Sequence, residues 1–162
     1  MYLLVKINVI AVGKVKENYF LDGIKEYSKR LSSYCEFKIF ELEEENYKKV
    51  STSLIEEIKE KEGKKILSQI DNKGFVIAMA IEGKKCSSID FAKEIKKIVD
   101  NGNGVINFII GGSYGLSNEV KKRADKLLSF SDMTFPHTLF RLMLVEQIYR
   151  AFSINGGTPY HK

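Results

Sequence analysis

Phe75-Val76-Ile77-Ala78-Met79-Ala80-Ile81 and Val105-Ile106-Asn107-Phe108-Ile109-Ile110 are the two stretches that decide the fold. Each is short, almost continuously apolar and rich in β-branched or aromatic residues, as a strand covered on both faces must be. Glu82-Gly83 closes the first, and Gly111-Gly112-Ser113-Tyr114-Gly115-Leu116 follows the second. Between them Ser88 is the expected cap of a helix over 89–99, and Asn101-Gly102-Asn103-Gly104 forms a turn. Two strands joined by a helix through a short turn make a parallel unit.

Outward from that unit the alternation continues. Leu3–Val12 reads as a strand stopped by Gly13, and Tyr19, Phe20, Ile24, Tyr27 and Leu31 form a helical stripe over 17–32. Residues 35–42 alternate as a half-exposed strand does, and Glu43-Glu44-Glu45 reads as a solvated loop. A long amphipathic helix spans 51–70, weakened at Lys61-Glu62-Gly63. Ser117 caps a helix over 118–127, and 128–133 has the makings of a short strand. The last helix, 139–154, is apolar nearly all round, so one face must find cover beyond its own sheet. The pattern is that of a single α/β domain over 1–162 with a mainly parallel sheet.

Composition narrows the function without naming it. The 162 residues are 44% hydrophobic and 29% charged, which are globular values. No apolar run approaches the ~18 residues of a membrane span, and the N-terminus lacks a signal-peptide pattern, so a cytoplasmic protein is expected. Cys35 and Cys86 stand apart without a ligand pattern, which argues against a disulfide scaffold or a metal site. The net charge of +5 is concentrated in the second half, a modest sign of a polyanionic partner.

Rare residues mark the functional stretch. Both prolines, both histidines and two of the four arginines lie between Pro136 and His161. The glycine turn after Ile110 stands where ligands bind at the carboxyl ends of parallel strands, yet it is neither G-x-G-x-x-G nor a Walker loop. Asp132 follows at the spacing of a ribose-binding acid, which leaves a nucleotide-dependent enzyme of the Rossmann type open. Ser129 to His137 mixes polar and aromatic side chains able to edge and sandwich a planar ligand. Arg141 and Arg150 lie on opposite sides of the last helix. Pro159-Tyr160-His161-Lys162 places an imidazole, the side chain that titrates nearest neutral pH, at a terminus delivered by a buried helix.

Taken together, Ile10–Glu17, Phe108–Leu116, Leu128–His137, Glu146–Phe152 and Pro159–Lys162 resemble the ribosomal RNA large subunit methyltransferase H family of the SPOUT superfamily. That resemblance covers nearly the whole chain. It implies a Rossmann-like, mainly parallel sheet ending in a deep trefoil knot, and S-adenosylmethionine as methyl donor. It implies a homodimer that methylates N3 of a pseudouridine in helix 69 of 23S rRNA within the assembled ribosome. It places donor contacts at Met79, Gly111, Phe130, Ser131, Asp132, Met133, Thr134 and Phe135. Met79 stands where leucine is expected, a volume-conserving change. His161 and Tyr160 are then candidates for base or positioning roles from the partner's tail, and Arg141 for a substrate role; His137 is expected to be structural. The other reading is a noncatalytic ribosome-binding module that keeps a donor pocket.

Overall fold

The computed structural model describes residues 5–162. The first two residues of the expected opening strand, Leu3 and Leu4, lie outside them. Five strands and five helices alternate: β1 (Lys6–Val12), α1 (Asn18–Leu31), β2 (Glu36–Leu42), α2 (Thr52–Gln69), β3 (Phe75–Lys85), α3 (Ser88–Asp100), β4 (Val105–Ile110), α4 (Asn118–Arg123), β5 (Lys126–Ser129) and α5 (His137–Asn155). The strands form one sheet in the order β2-β1-β4-β3-β5, and every neighbouring pair is parallel.

Strand periodicity sorts the apolar residues into two cores. Ile7, Val9, Ala11, Ile77, Met79, Ile106, Phe108 and Ile110 point to the side covered by α1, α3 and α5. Ile10, Val12, Val76, Ala78 and Ile109 point to the side covered by α2 and α4. This is why the first part of β3, Phe75–Met79, and β4 read as almost continuous apolar runs: both faces are buried. Asn107, fully buried in β4, pairs with its register partner Asn8, which donates to it at 3.1 Å.

Several boundaries differ from the sequence reading, each for a local reason. Ser87, rather than Ser88, caps α3, its Oγ accepting from the Asp90 amide at 3.1 Å. Ser88 Oγ instead donates to Gln147 on α5 at 2.7 Å. Helix α4 stops at Arg123, because Ala124 turns extended and Lys126–Ser129 form the fifth strand. Helix α2 runs unbroken through Lys61-Glu62-Gly63, with Glu62 and Gly63 both buried. Gly63 is needed there because a Cβ would run into the Ser117 side chain.

Strand β3 passes its expected end at Ile81. Leu128 of β5 is the register partner of Met79 and again of Lys84, so residues 80–83 arch out of register beside β5. At the crown of the arch sits Gly83, and a Cβ on it would lie 2.6 Å from the Leu128 nitrogen and 2.7 Å from the Leu127 carbonyl carbon. Only glycine permits so close an approach of two backbones.

Candidate active site

The carboxyl edge of the sheet gathers the residues singled out at the strand ends. Met79, Ile110 and Leu128 share the larger core, with Phe130 packed against it and its ring 4.9 Å from that of Phe140. Gly111 follows directly on Ile110 and is tightly enclosed: a Cβ would lie 2.9 Å from Leu116 Cδ2 and 3.0 Å from the Gly115 backbone. The turn is closed by Gly115, whose amide donates to the Gly112 carbonyl at 3.1 Å and whose φ is +88°. That conformation favours glycine.

The segment 130–135 is organised by its own serines. Ser129 Oγ donates to the Ser131 carbonyl at 3.0 Å, and Ser131 Oγ accepts from the Met133 amide at 3.0 Å. Asp132 pairs with Lys85, which moors this loop to the end of the β3 arch. Thr134 is exposed, Phe135 half-buried, and Met133 is 74% exposed, an unusual position for a large thioether. Asp132 does not serve as the acid of a dinucleotide fold. In that fold the glycine-rich strand and the next one are neighbours, whereas here β3 lies between β4 and β5.

A groove of about 460 Å³ runs between α1, α3 and α5, lined by Tyr27, Phe91, Phe130, Leu142, Met143 and Glu146 among others. Phe130 connects it to the loop 130–135. Glu146 connects it to the C-terminal tail. Tyr160 donates from its hydroxyl to Glu146 at 3.0 Å and meets the Tyr27 hydroxyl at 3.1 Å. Burial, with those two partners, raises the Tyr160 phenol above its ordinary value. Arg150 stacks on the Tyr160 ring at 4.7 Å, and its Nε donates to Glu146 at 3.0 Å.

Arg150 also meets His161, Nη1 to Nδ1, at 3.0 Å. A guanidinium only donates, so Nδ1 accepts and a neutral ring carries its proton on Nε2. Held this way, His161 offers a donor and not a base. The side-chain partners of Tyr160 and His161 all lie on α1 and α5 of the same chain.

Arg141 is only 1% exposed. Its Nη1 donates to Glu41 at 2.6 Å and its Nη2 to the Gly13 carbonyl at 2.9 Å. Burial pulls its pKa below the ordinary arginine value, and Glu41 opposes that pull. Arg141 thus ties α5 to the ends of β1 and β2, a geometry that suits a strut and leaves the guanidinium no open face for a substrate. Arg141→Ala is expected to lower stability by about 2 kcal/mol, less than for a fully buried pair because Glu41 remains partly solvated. Urea unfolding measures this, and a variant as stable as the parent rules the strut out. His137 opens α5 with its Nε2 buried beside Gly13.

The acidic run 43–45 is a loop with Glu43 exposed, but Glu44 and Glu45 anchor it to the protein. Glu41 holds Arg141 and accepts from the Val15 amide, Glu44 accepts from Ser113 Oγ at 3.0 Å, and Glu45 pairs with Lys65 at 2.8 Å. Its three consecutive carboxylates looked like surface because charge runs usually are. Glu62 was equally concealed: a charged residue inside an amphipathic helix gives no sequence signal of burial. The Lys61-Glu62-Gly63 break was the one visible mark.

The comparisons with known proteins agree with this arrangement. The family model described as "Predicted SPOUT methyltransferase" matches residues 5–161. A protein of Clostridioides difficile named ribosomal RNA large subunit methyltransferase H is 54% identical over 157 residues, 96% of this chain and 99% of the relative. Its namesake in Lactobacillus gasseri is 52% identical over the same span. A probable methylase family protein of Haemophilus influenzae superposes with a TM-score of 0.52 at 12% identity, over 100% of this chain and 72% of that one. A putative methylase family protein of Neisseria gonorrhoeae gives 0.51 at 10% identity, over 91% and 83%. The structural likenesses establish the fold alone; the full-length sequence matches go further, and by them the chain belongs to the SPOUT methyltransferases, within the ribosomal RNA large subunit methyltransferase H family.

Proposed function

We propose that this methyltransferase moves a methyl group from S-adenosylmethionine to N3 of a pseudouridine in helix 69 of 23S rRNA, acting as a homodimer on the assembled ribosome in the cytoplasm. The observation that carries the reading is the match at 54% identity across 96% of the chain, joined to a glycine turn and an aromatic-polar loop at one sheet edge. The same edge fits the donor. Its glycines let backbone approach a nucleoside closely, Phe130 offers a ring, and the loop 130–135 offers backbone hydrogen bonds. Met79, Gly111 and residues 130–135 would hold it; when bound it supplies an electrophilic methyl on a sulfonium. The deep trefoil knot that the fold family implies is part of the same reading.

The chain's own residues must orient the pseudouridine and remove the N3 proton as the nitrogen–carbon bond forms. His161 is assigned the proton and Tyr160 the positioning. Base work requires His161 to leave Arg150, since that contact fixes the wrong tautomer. A tail that swings to the partner subunit's donor edge meets the requirement. Cover by a second copy also suits the exposed Tyr19, Ile81, Ile89 and Met133. The paired subunits together supply the recognition surface. Among the described residues no helix is long and apolar enough to cross a membrane, and no His/Cys/Asp/Glu group suits a metal.

The test is methyl incorporation from labelled S-adenosylmethionine into 70S ribosomes, isolated subunits and naked 23S rRNA. Mass spectrometry of helix 69 then locates the product. Methylation of the pseudouridine in 70S ribosomes, with little in naked RNA, is the expected result. Donor binding without incorporation into any substrate favours the noncatalytic module instead.

A further inference from the structure

Glu62 is a residue that the proposed chemistry does not use, and its surroundings are costly for it. It is 2% exposed, and neither carboxylate oxygen has a hydrogen-bond partner among the described residues. Its carboxyl lies directly against the glycine turn: a Cβ on Gly112 would be 2.8 Å from Oε1 and 2.9 Å from Oε2. Glu44 grips the same turn, accepting a hydrogen bond from Ser113 at 3.0 Å. Two carboxylates therefore clasp the segment that follows β4, immediately beside Gly111.

The charged groups around Glu62 do not neutralise it. Glu44 and Glu45 face it from the loop after β2; Glu44 raises its proton affinity, whereas Glu45 acts both ways, its backbone amide lowering that affinity and its charge, more weakly, raising it. Lys65, on α2 itself, acts the other way but is engaged by Glu45 and the Glu43 carbonyl. The neighbouring pieces of β1 and α4, Val12 and Ser117, bring no charge. Burial, first, and Glu44, second, push the carboxyl up to about 7. A buried, unpartnered anion is unfavourable, so the site either keeps a proton or awaits a positive charge.

The family's donor carries such a charge. Resting on the reading of S-adenosylmethionine as donor, we propose that Glu62 is a positioning residue that makes donor binding proton-linked. It holds a proton when the turn bears no cation and yields it to solvent when the sulfonium donor seats on the turn. The carboxyl O–H bond breaks, the proton passes to buffer, and the resulting carboxylate attracts the donor through the field across Gly112. Glu62 does not touch the donor; it sets the charge of the floor beneath it.

Linkage gives the size of the effect. Donor affinity should fall by up to tenfold per pH unit below about 7, and level off above it. Calorimetric titration of the full-length protein with S-adenosylmethionine, at pH 7 in two buffers of different ionisation enthalpy, counts the protons released. The parent should release roughly half a proton per site more than Glu62→Gln, which has the same shape and cannot ionise. Protons released by the donor's own amino group or by histidines appear equally in both and cancel. Glu44→Gln, which keeps an acceptor for Ser113 and removes the like charge, should move the affinity profile to lower pH. It decides the matter should Glu62→Gln fail to fold. Equal proton counts in parent and Glu62→Gln, or an unmoved profile in Glu44→Gln, overturn the proposal while leaving the donor assignment intact. Absence of any donor binding by the parent overturns the donor assignment, and this proposal with it.

Discussion

Gly83→Ala is expected to destabilise the protein by about 3 kcal/mol and to abolish tight donor binding. The new methyl would meet the Leu128 nitrogen at 2.6 Å, and the Leu127 and Leu128 carbonyl carbons at 2.7 Å. These are backbone atoms of a strand hydrogen-bonded to β3, so no side chain can rotate away to make room. Relief requires the arch of 80–83 to lift off β5. Lifting it disturbs the pairing at Lys84 and Lys85 and the Lys85–Asp132 tie, and with them the loop 130–135. For a domain of this size the loss corresponds to a fall of roughly 6–12 °C in Tm. Gly104→Ala is the matched control. A Cβ there meets nothing within 4 Å, and its expected effect is below about 0.5 kcal/mol. Thermal unfolding and calorimetric donor titration on the two variants check the claim; equal melting temperatures would show that the approach is not tight.

His161→Ala is expected to reduce methylation of 70S ribosomes by about 10²- to 10⁴-fold, the usual range for loss of a positioned base. Donor affinity should be nearly unchanged, because a base acts on the N3 proton of the substrate and not on the donor. Tyr160→Phe should cost less, about tenfold. It removes the hydroxyl shared with Glu146 and Tyr27 but keeps the ring under Arg150 and beside Tyr149. Single-turnover rates with saturating donor separate these effects from donor binding. Full activity in His161→Ala would transfer the proton to another group and leave the tail a packing role.

Much of the fold was legible because burial on both faces writes itself into composition. Phe75–Met79 of β3 and most of β4 are apolar since α-helices cover each side. The glycine turn and the loop 130–135 were legible for a related reason: close backbone approach demands glycine, and a planar pocket demands aromatic and small polar groups together. The loop at 43–45 was legible, but its anchoring was not. Whether Glu41, Glu44 or Glu62 meets water or a protein partner depends on contacts 50 to 100 positions away along the chain: Glu62 against Gly112, Glu44 with Ser113, Glu41 with Arg141. Nothing in a local pattern carries that information.

By itself the sequence determined the alternation of strands and helices, the parallel sheet and the concentration of prolines and histidines in the last 27 residues. Helical and strand periods and backbone sterics are local properties, and these features follow from them. Tertiary structure alone decided the order β2-β1-β4-β3-β5, the close backbone approach of β3 and β5 at Gly83, and the inward turn of Arg141. It also set the unpartnered carboxylate of Glu62 beneath the glycine turn. Each of these depends on which distant segments share a surface, and so on the free energy of the whole packed domain.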